Sequence, residues 1–321
     1  MKAIICTRSG LLRPIVLKEI AKPIPKDDEV LIKIYAASIT SIDMGFRRSI
    51  GTGNGEARPH KLGHYYAGVV EAAGGNVKRF KKNDQVYGGD VWSAGALAEY
   101  ICVRENNVIV KKPAKMSYEE AAALTYGGLT ALPFLRDAGK VRKGQNALII
   151  GASGSIGTYA IQLAKYYGAK VTGACSTKKI DTVKVAGADD VIDYTKEDFT
   201  KNGKTYDIIF DTPGKSSFSR CRNSLTQTGK YLTTVPWPGV LLQMLWTSFA
   251  GRKKAIFRPM GLRSTRKKIQ DLEFLNELYE SGKIKPVIDR VFTLEETADA
   301  YHYIAKGKKQ GNIIIAVKSS R

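Results

Sequence analysis

The sequence predicts an α/β protein of two parts, an antiparallel β domain and a doubly wound domain with a parallel sheet. Three observations lead to this class. Over residues 1–110, short apolar or alternating runs are broken by Gly, Pro, Asn and Asp, which is typical of antiparallel sheets. From about residue 117, helical and strand patterns alternate, which favours a parallel sheet covered by helices. Residues 147–179 run from a strand through a glycine turn and a helix into a second strand.

The first part contains five predicted strands. Each is an apolar or alternating run bounded by turn-forming residues. In chain order they are MKAIIC (1–6), EVLIKIYAAS (29–38), HYYAGVVEAAG (64–74), DQVYGG (84–89) and LAEYICV (97–103).

The second part opens with a predicted helix over SYEEAAALTYGGLTALPFLRDAG (117–139). Six predicted strands follow, with helical stretches between several of them: NALII (146–150), AKVTGA (169–174), ADDVIDY (188–194), YDIIFD (206–211), GKYLTTV (229–235) and KAIF (254–257). An amphipathic helix is then predicted to end at Gly282. The chain closes with the strand PVIDRVFTL (286–294), a helix around EETADAYHYIAKG (295–307) and the strand NIIIAV (312–317).

The composition is that of a globular protein. The chain has 321 residues, of which 43% are hydrophobic and 25% are charged. No run reaches the ~18 to 20 apolar residues of a membrane span, and the first residues lack the apolar core of a secretory signal, so we expect a soluble, cytoplasmic protein. The four cysteines lie far apart without a CxxC pair, which predicts neither a disulfide framework nor a zinc knuckle.

The chain is strongly basic. Its formal net charge is +21, and residues 251–270 contain eight Lys or Arg and no acidic residue. Such a run is either a solvated basic face or a surface for a nucleic acid, an anionic membrane or a phosphorylated ligand. Phe257 is its one aromatic residue, which argues against stacking on single-stranded nucleic acid.

One apolar run, WPGVLLQMLWTSFAG (237–251), lies outside the predicted strands. We interpret it as a core helix or a homodimer interface. The alternative is an apolar substrate wall or a flap that touches a membrane. It is too short to span a bilayer.

The glycine turn at residues 151–157 has the features of a dinucleotide-binding turn. Gly154 allows the backbone to approach a pyrophosphate, and Gly157 allows the helix to pack closely on the strand. The amides of the first helical turn, with Ser153, Ser155 and Ile156, face the anion. Further along, Tyr159, Ala160, Leu163, Ala164 and Tyr167 continue an apolar face from Ile156.

The end of the second strand indicates which dinucleotide binds. A carboxylate about 20 residues after the glycines would bind the ribose 2′-hydroxyl of NAD. Here the chain has Ser176, Thr177, Lys178 and Lys179 instead. Hydroxyl groups and an ammonium group from Lys178 or Lys179 suit a 2′-phosphate, so the sequence predicts NADPH.

Several short segments resemble the medium-chain dehydrogenase/reductase superfamily, in its zinc-free quinone-oxidoreductase-like branch. They are GASGSIGTYAIQLAK (151–165), GGLTAL (127–132), AGADDVIDY (186–194), FDTPG (210–214), SGKIKPVIDR (281–290) and KGKKQGNIIIAV (306–317). The resemblance implies a GroES-like catalytic domain at 1–122, a Rossmann NADP-binding domain at 123–262, a return of 263–321 into the catalytic domain, and an active-site cleft at their junction. It also implies further cofactor contacts from Thr130, Tyr194, Val235, Gly311 and Asn312.

The set of zinc ligands found in alcohol dehydrogenases of this superfamily is incomplete here. Thr40 stands at the position of the first cysteine ligand, and a neutral hydroxyl does not replace a thiolate on zinc. His64 matches the zinc-binding histidine of the family, but Tyr65 stands where its glutamate would be. We therefore expect no catalytic zinc and interpret His64 as a hydrogen-bonding residue of the cleft.

Without a metal, the remaining reactions are reduction of a quinone or of a carbon–carbon double bond conjugated to a carbonyl. Donors that stabilise the developing oxyanion are required, and the candidates are Thr40, His64 and Tyr126. In the enoyl reductases that this chain resembles, a proton-donating tyrosine follows the segment matching SIDMGFRRSIG (41–51). No tyrosine lies between Asp43 and Lys61 here, so the resemblance argues against a dedicated enoyl-thioester reductase. The alternatives are a zinc-type alcohol dehydrogenase, or a basic RNA- or membrane-surface-binding protein on the same fold.

Overall fold

The computed structural model describes residues 1–6, 15–49, 60–249 and 251–317. The chain forms two compact units. The first unit comprises Met1–Tyr126, Ser264–Glu280 and Ile288–Arg321, and the second unit comprises Gly127–Arg263 and Ser281–Val287.

The described residues form sixteen strands and eight α-helices. The strands are β1 Lys2–Cys6, β2 Ile15–Glu19, β3 Glu29–Ile39, β4 His60–Lys61, β5 Tyr65–Ala73, β6 Gln85–Gly89, β7 Tyr100–Arg104, β8 Ile109–Lys111, β9 Asn146–Ile150, β10 Lys170–Cys175, β11 Asp190–Asp193, β12 Tyr206–Asp211, β13 Leu225–Thr233, β14 Lys254–Phe257, β15 Ile288–Thr293 and β16 Asn312–Ala316. The helices are α1 Ser41–Ser49, α2 Tyr118–Pro133, α3 Ser155–Tyr166, α4 Ile180–Val185, α5 Phe218–Cys221, α6 Pro238–Phe249, α7 Thr265–Glu280 and α8 Thr297–Ala305.

The first unit is built on two sheets. The smaller has the order β2-β1-β4, and the larger has the order β15-β16-β3-β5-β6-β8, with β7 also paired to β3. Strand β3 organises the larger sheet. Strand β5 runs along one edge of β3, while the other edge is shared by β7 at Glu29–Lys33 and by β16 at Ala36–Ile39. These pairings are antiparallel, and only β15 and β16 pair in parallel among the strands of this sheet that the structure describes.

The core of the first unit forms where these strands turn their apolar side chains inward. Ile32, Ile34, Tyr66, Val86 and Ile313 are all buried in one cluster. Their burial removes large apolar areas from water, which is the main favourable contribution to folding.

The second unit contains a six-stranded parallel sheet. Its order is β11-β10-β9-β12-β13-β14, so successive strands are added outward from β9 in both directions. The central strands are apolar on both faces; Leu148, Ile149, Ile209 and Phe210 are fully buried. Helices cover such a sheet on both sides, and ligands bind beyond the carboxyl ends of the strands at the point where the order reverses, next to β9.

The predicted fold class is confirmed: an antiparallel GroES-like domain accompanies a parallel Rossmann-type domain. Three strands were not predicted. Strand β2 is mostly exposed, so it lacks a strong apolar alternation, while β4 and β8 have only two and three residues. The predicted helix at 117–139 ends at Pro133 and continues as a π-helical turn over Phe134–Gly139.

Within the apolar run at 237–251, Pro238–Phe249 form α6, and Ala250 lies outside the described residues. Its inner face buries Val240 and Thr247. Its outer face exposes five large apolar side chains at helical spacing: Leu241, Leu242, Leu245, Trp246 and Phe249. The segment is therefore half core and half exposed apolar surface. In the described part of the chain, no helix has the length and apolarity needed to cross a membrane.

Candidate active site

Thr40 lies between β3 and α1 and caps the helix. Its Oγ1 accepts a hydrogen bond from the Ile42 amide at 3.2 Å, and the carboxylate of Asp43 accepts from the Thr40 amide at 2.8 Å. This reciprocal arrangement is a capping box, in which the first helical turn and the residue before it satisfy each other's amides. The Thr40 hydroxyl also donates to Asp43 Oδ2 at 2.8 Å, so its proton is directed at the carboxylate.

The same carboxylate holds His64. Asp43 Oδ1 lies 2.7 Å from His64 Nδ1, and both side chains are buried. An ionised carboxylate only accepts hydrogen bonds, so the proton of this bond belongs to Nδ1. The other ring nitrogen, Nε2, is the atom through which His64 can contact a substrate.

Tyr126 lies beside the same helix start. Its Oη is 2.6 Å from Ser41 Oγ, and its ring centroid is 5.5 Å from that of Tyr65. Burial raises the pKa of Tyr126 above its ordinary value of 10.0, although the hydrogen bond with Ser41 opposes this effect. Burial, with smaller contributions from Tyr126 and Asp43, raises the pKa of Tyr65 well above 10.0. Both phenols therefore keep their protons at neutral pH.

The structure brings the three predicted catalytic residues together through two residues that the sequence analysis missed. Asp43 joins Thr40 to His64, and Ser41 joins the same segment to Tyr126. The spacing Thr-x-x-Asp is a capping-box signal that could have identified Asp43 as a helix cap. Its bond to His64 had no sequence signal, because the two residues are 21 positions apart.

Metal-binding side chains are sparse around this cluster. Across the residues that the structure describes, no three His, Cys, Asp or Glu side chains form a group that could hold a metal ion. At Thr40 the available donor is a hydroxyl whose proton is already directed at Asp43.

The glycine turn connects β9 to α3 at the centre of the parallel sheet. A Cβ atom at Gly157 would lie 2.2 Å from the carbonyl oxygen of Gly151, so only glycine allows this close packing. Gly151 has a φ of +73°, the left-handed region that favours glycine. At Gly154 the nearest atom to a Cβ would be 3.4 Å away, which leaves open space above the backbone.

The turn presents backbone amides to that space. The α3 hydrogen-bond ladder begins where the Thr158 amide donates to the carbonyl oxygen of Gly154 at 3.0 Å. The amides of Ser155, Ile156 and Gly157 therefore precede the ladder, next to the buried Ser153. The N-terminus of α3 carries a partial positive charge, and Gly154 has no side chain to cover the backbone. Both features suit a pyrophosphate, so these residues fit the nicotinamide dinucleotide expected from the sequence.

The end of β10 carries the four residues expected at the ribose. Ser176 precedes a 3₁₀ turn over Thr177–Lys179, in which Lys178 is exposed and Lys179 is half-buried. The neighbouring strand contributes a carboxylate that the sequence analysis did not consider. Asp193, at the end of β11, accepts a hydrogen bond from Thr177 Oγ1 at 2.5 Å.

The remaining predicted cofactor contacts are distributed over both units. In the second unit, Thr130 is buried in α2, Val235 is half-buried after β13, and Tyr194 is 58% exposed after β11. Gly311 and Asn312 are buried at the start of β16 in the first unit.

Family models match both parts of the chain. Residues 26–114 match the alcohol dehydrogenase GroES-like domain, and residues 186–315 match the zinc-binding dehydrogenase family. The first match covers most of the strands of the antiparallel sheets, and the second begins in the parallel sheet and runs into β16.

Full-length relatives and solved structures agree with this assignment. The chain is 33% identical to the mouse mitochondrial NAD(P)H oxidoreductase RTN4IP1, over 90% of this chain and 82% of the relative. It is 34% identical to 2-methylene-furan-3-one reductase of Solanum lycopersicum, over 92% of this chain and 74% of the relative. The structure of the quinone oxidoreductase from Coxiella burnetii superposes with a TM-score of 0.85 at 28% identity, covering 99% of each chain.

Identity at this level over nearly the whole length, with both domain models matched in order, defines the family. The relatives include proteins named as NAD(P)H and quinone oxidoreductases. The chain belongs to the medium-chain dehydrogenase/reductase superfamily, in its quinone-oxidoreductase-like branch.

Proposed function

We propose that this chain is a zinc-independent, NADPH-dependent reductase that transfers a hydride to a quinone or to an α,β-unsaturated carbonyl compound. The observation that carries the proposal is the cluster of Thr40, Asp43 and His64. A histidine and a hydroxyl are fixed there by one buried carboxylate, in hydrogen bonds of 2.7 to 2.8 Å. Thr40 directs its proton to Asp43 and so helps to hold the carboxylate that orients His64. The donors for a carbonyl oxygen would be Tyr126 and a doubly protonated His64, and the bound nicotinamide would supply the hydride.

Zinc independence is proposed from the donor set. A catalytic zinc takes three protein ligands with ionised or imidazole donors. Thr40 offers a neutral hydroxyl at the first of these positions, and its hydrogen bond to Asp43 favours that neutral form. His64 directs Nδ1 to Asp43, which leaves one nitrogen for one contact.

The proton that the reduced substrate needs has a source in the same unit. Tyr126 keeps its phenolic proton at neutral pH because burial raises its pKa. Tyr126 Oη lies 2.6 Å from Ser41 Oγ, and either hydroxyl can be the donor of this hydrogen bond. We propose that Tyr126 donates to the oxygen on which negative charge develops. His64 joins it when both ring nitrogens carry a proton, because Nε2 of the neutral ring with its proton on Nδ1 only accepts.

NADPH preference is proposed from the end of β10. Strand β10 ends without a carboxylate of its own, and Ser176, Lys178 and Lys179 offer a hydroxyl and two ammonium groups. A single charge-assisted hydrogen bond contributes about 1.5 to 3 kcal/mol. We therefore expect NADPH to bind more tightly than NADH, and a Lys178→Ala, Lys179→Ala double variant to lose the preference.

The basic segment 251–270 supports the enzyme more than the nucleic-acid or membrane alternative. Four of its eight cations bind partners within the chain. Lys268 pairs with Asp90 at 2.8 Å and Arg263 pairs with Asp137 at 3.0 Å. Lys253 and Lys254 donate to backbone carbonyl groups. The cytoplasmic location expected from the sequence stays a prediction, since some relatives carry mitochondrial or chloroplastic names.

Activity would be tested by following NADPH oxidation with a panel of quinones, enones and aldehydes. We expect turnover with quinones or enones, and none with simple aldehydes. Tyr126→Phe and His64→Gln should lower turnover about ten- to a hundredfold with little change in NADPH affinity. Tyr303→Phe, which also removes a phenol from the first unit, is the control. Full activity in both site variants would refute their assignment, and turnover of aldehydes alone would refute the substrate class.

Metal content and cofactor choice require separate measurements. Elemental analysis of protein purified without added metal should find far less than one zinc per chain, and chelators should leave turnover unchanged. Stoichiometric zinc that disappears in His64→Gln would instead support an alcohol dehydrogenase. Titration of intrinsic fluorescence with each dinucleotide gives the two dissociation constants, and salt-dependent retention on heparin tests the basic-surface alternative.

A homodimer is proposed from the exposed face of α6. This face holds five large apolar side chains. Other residues of α6 cover the outer edge of β14, where the Ala255 amide donates to Thr247 Oγ1 and the Phe257 amide donates to Met244 Sδ. An uncovered apolar face favours association with a second copy. Light scattering coupled to gel filtration should give a dimer for the wild type and a monomer for Leu245→Glu. Ile24→Glu, at a site 88% exposed in the first unit, should remain dimeric.

A further inference from the structure

The carboxyl ends of β10 and β11 place an acidic residue beside the hydroxyl groups of the expected ribose site. In the parallel register, Cys175 pairs with Asp193, so both strands end at the same level. The next residues of β10 lead into the turn that begins at Thr177. Asp193 Oδ2 lies 2.5 Å from Thr177 Oγ1, and Asp193 Oδ1 lies 2.6 Å from Thr195 Oγ1.

The direction of these hydrogen bonds follows from their chemistry. The hydrogen bond from Thr177, then those from Thr195, lower the pKa of Asp193 below its ordinary value, so the side chain is ionised at neutral pH. An ionised carboxylate only accepts, so both threonine hydroxyls donate to it. The Thr195 amide donates to Asp193 Oδ1 as well, at 3.0 Å.

This arrangement decides what Thr177 can offer a ligand. Each hydroxyl has one proton and two lone pairs. Thr177 Oγ1 also lies 3.1 Å from Thr195 Oγ1, but both threonine protons are directed at the closer oxygens of Asp193. The oxygen of Thr177 therefore presents lone pairs to other partners. Such an oxygen suits a ribose 2′-hydroxyl, which can donate, but not the oxygens of a 2′-phosphate, which only accept. The charge on Asp193 also repels a phosphate.

We propose that Asp193 determines the dinucleotide selectivity of this chain, by holding the Thr177 hydroxyl as an acceptor and by adding a negative charge at the ribose end of the site. The proposal rests on the dinucleotide site proposed above. Asp193 thereby weakens NADPH binding and favours NADH, so the preference conferred by Lys178 and Lys179 is smaller than these lysines alone would give.

The test measures NADPH and NADH dissociation constants for the wild type and Asp193→Asn. An asparagine can donate to Thr177 Oγ1, which frees the threonine proton for a phosphate, and it removes the charge. Asp193→Asn should tighten NADPH binding about three- to tenfold, with NADH binding unchanged or weaker, and the gain should shrink at high salt.

Asp198 provides a matched control. It accepts from the amide and the hydroxyl of Thr200 in the same local motif, but its other contact is Arg220. Asp198→Asn should leave the ratio of the two dissociation constants unchanged. Thr177→Val is a second test variant, and it should weaken NADH more than NADPH. Melting temperatures of all variants confirm that they are folded.

The outcomes separate this inference from the function on which it rests. An unchanged or lowered NADPH selectivity in Asp193→Asn, with both dinucleotides bound, would overturn the role of Asp193 alone. An equal change in Asp198→Asn would also overturn it. Failure of the folded wild type to bind either dinucleotide would overturn the proposed function, and this inference with it.

Discussion

Replacing Asp43 with alanine should destabilise the first unit by about 3 to 5 kcal/mol. The carboxylate is fully buried and accepts three hydrogen bonds, two from Thr40 and one from His64. The Thr40 hydroxyl can rotate to another acceptor. The Thr40 amide and His64 Nδ1 cannot, and each buried donor without an acceptor costs about 1 to 3 kcal/mol.

Two further variants calibrate this value. In Asp43→Asn the amide oxygen can still accept from Thr40, and its nitrogen can donate to His64 in the other tautomer, so we expect a loss of about 1 to 2 kcal/mol. Asp28→Ala removes an exposed carboxylate 3.5 Å from Arg104, and a loss of at most about 1 kcal/mol is expected.

The assay must report on the first unit, because two units of one chain can unfold in separate transitions. Hydrogen exchange of peptides from β3 and β5, followed by mass spectrometry over a urea series, gives the free energy of unfolding around Thr40 and His64. If Asp43→Ala costs less than about 1 kcal/mol, or no more than Asp28→Ala, the three hydrogen bonds do not hold this region together and the reasoning is wrong.

Two further predictions concern the second unit. Gly157→Ala should lower the affinity for both dinucleotides at least about tenfold, because its Cβ would lie 2.2 Å from the Gly151 oxygen. Gly75→Ala, with no described heavy atom within 4 Å of the new Cβ, should bind normally in the same titration. Burial opposes ionisation of Asp189, but hydrogen bonds from the Lys165 ammonium at 2.6 Å and a backbone amide outweigh it and lower its pKa. The ionised Asp189 carboxylate therefore stabilises the protein above about pH 4, and this stabilisation is lost as the pH falls through the lowered pKa. Between about pH 6 and pH 3, the melting temperature of the wild type should fall more than that of Asp189→Asn.

The sequence predicted the elements that carry a strong pattern. Apolar alternation located β3 and β5, and the glycine turn located β9 and α3. The exposed β2 and the three-residue β8 lack enough pattern to be recognised. The same holds for the site residues: a local motif is needed to recognise them from the sequence.

Motifs along the chain pointed to Thr40 and His64. Asp43 and Asp193 were missed because their partners are neighbours in space only. His64 reaches Asp43 across 21 residues, and Thr177 reaches Asp193 because β10 and β11 are adjacent in the sheet. Tertiary pairing of this kind leaves no local signal in a single sequence.

The sharing of one edge of β3 by two strands has a consequence for biosynthesis. During translation, β7 can pair with Glu29–Lys33 early, whereas the half of β3 next to Thr40 waits for β16, which starts only at Asn312. The second unit lies between these segments in the chain and can fold while the first is still incomplete. Nascent chains stalled before residue 312 should therefore have a folded parallel sheet and an unfinished Thr40–His64 region, so hydride transfer would begin only after β16 has been made and has paired with β3.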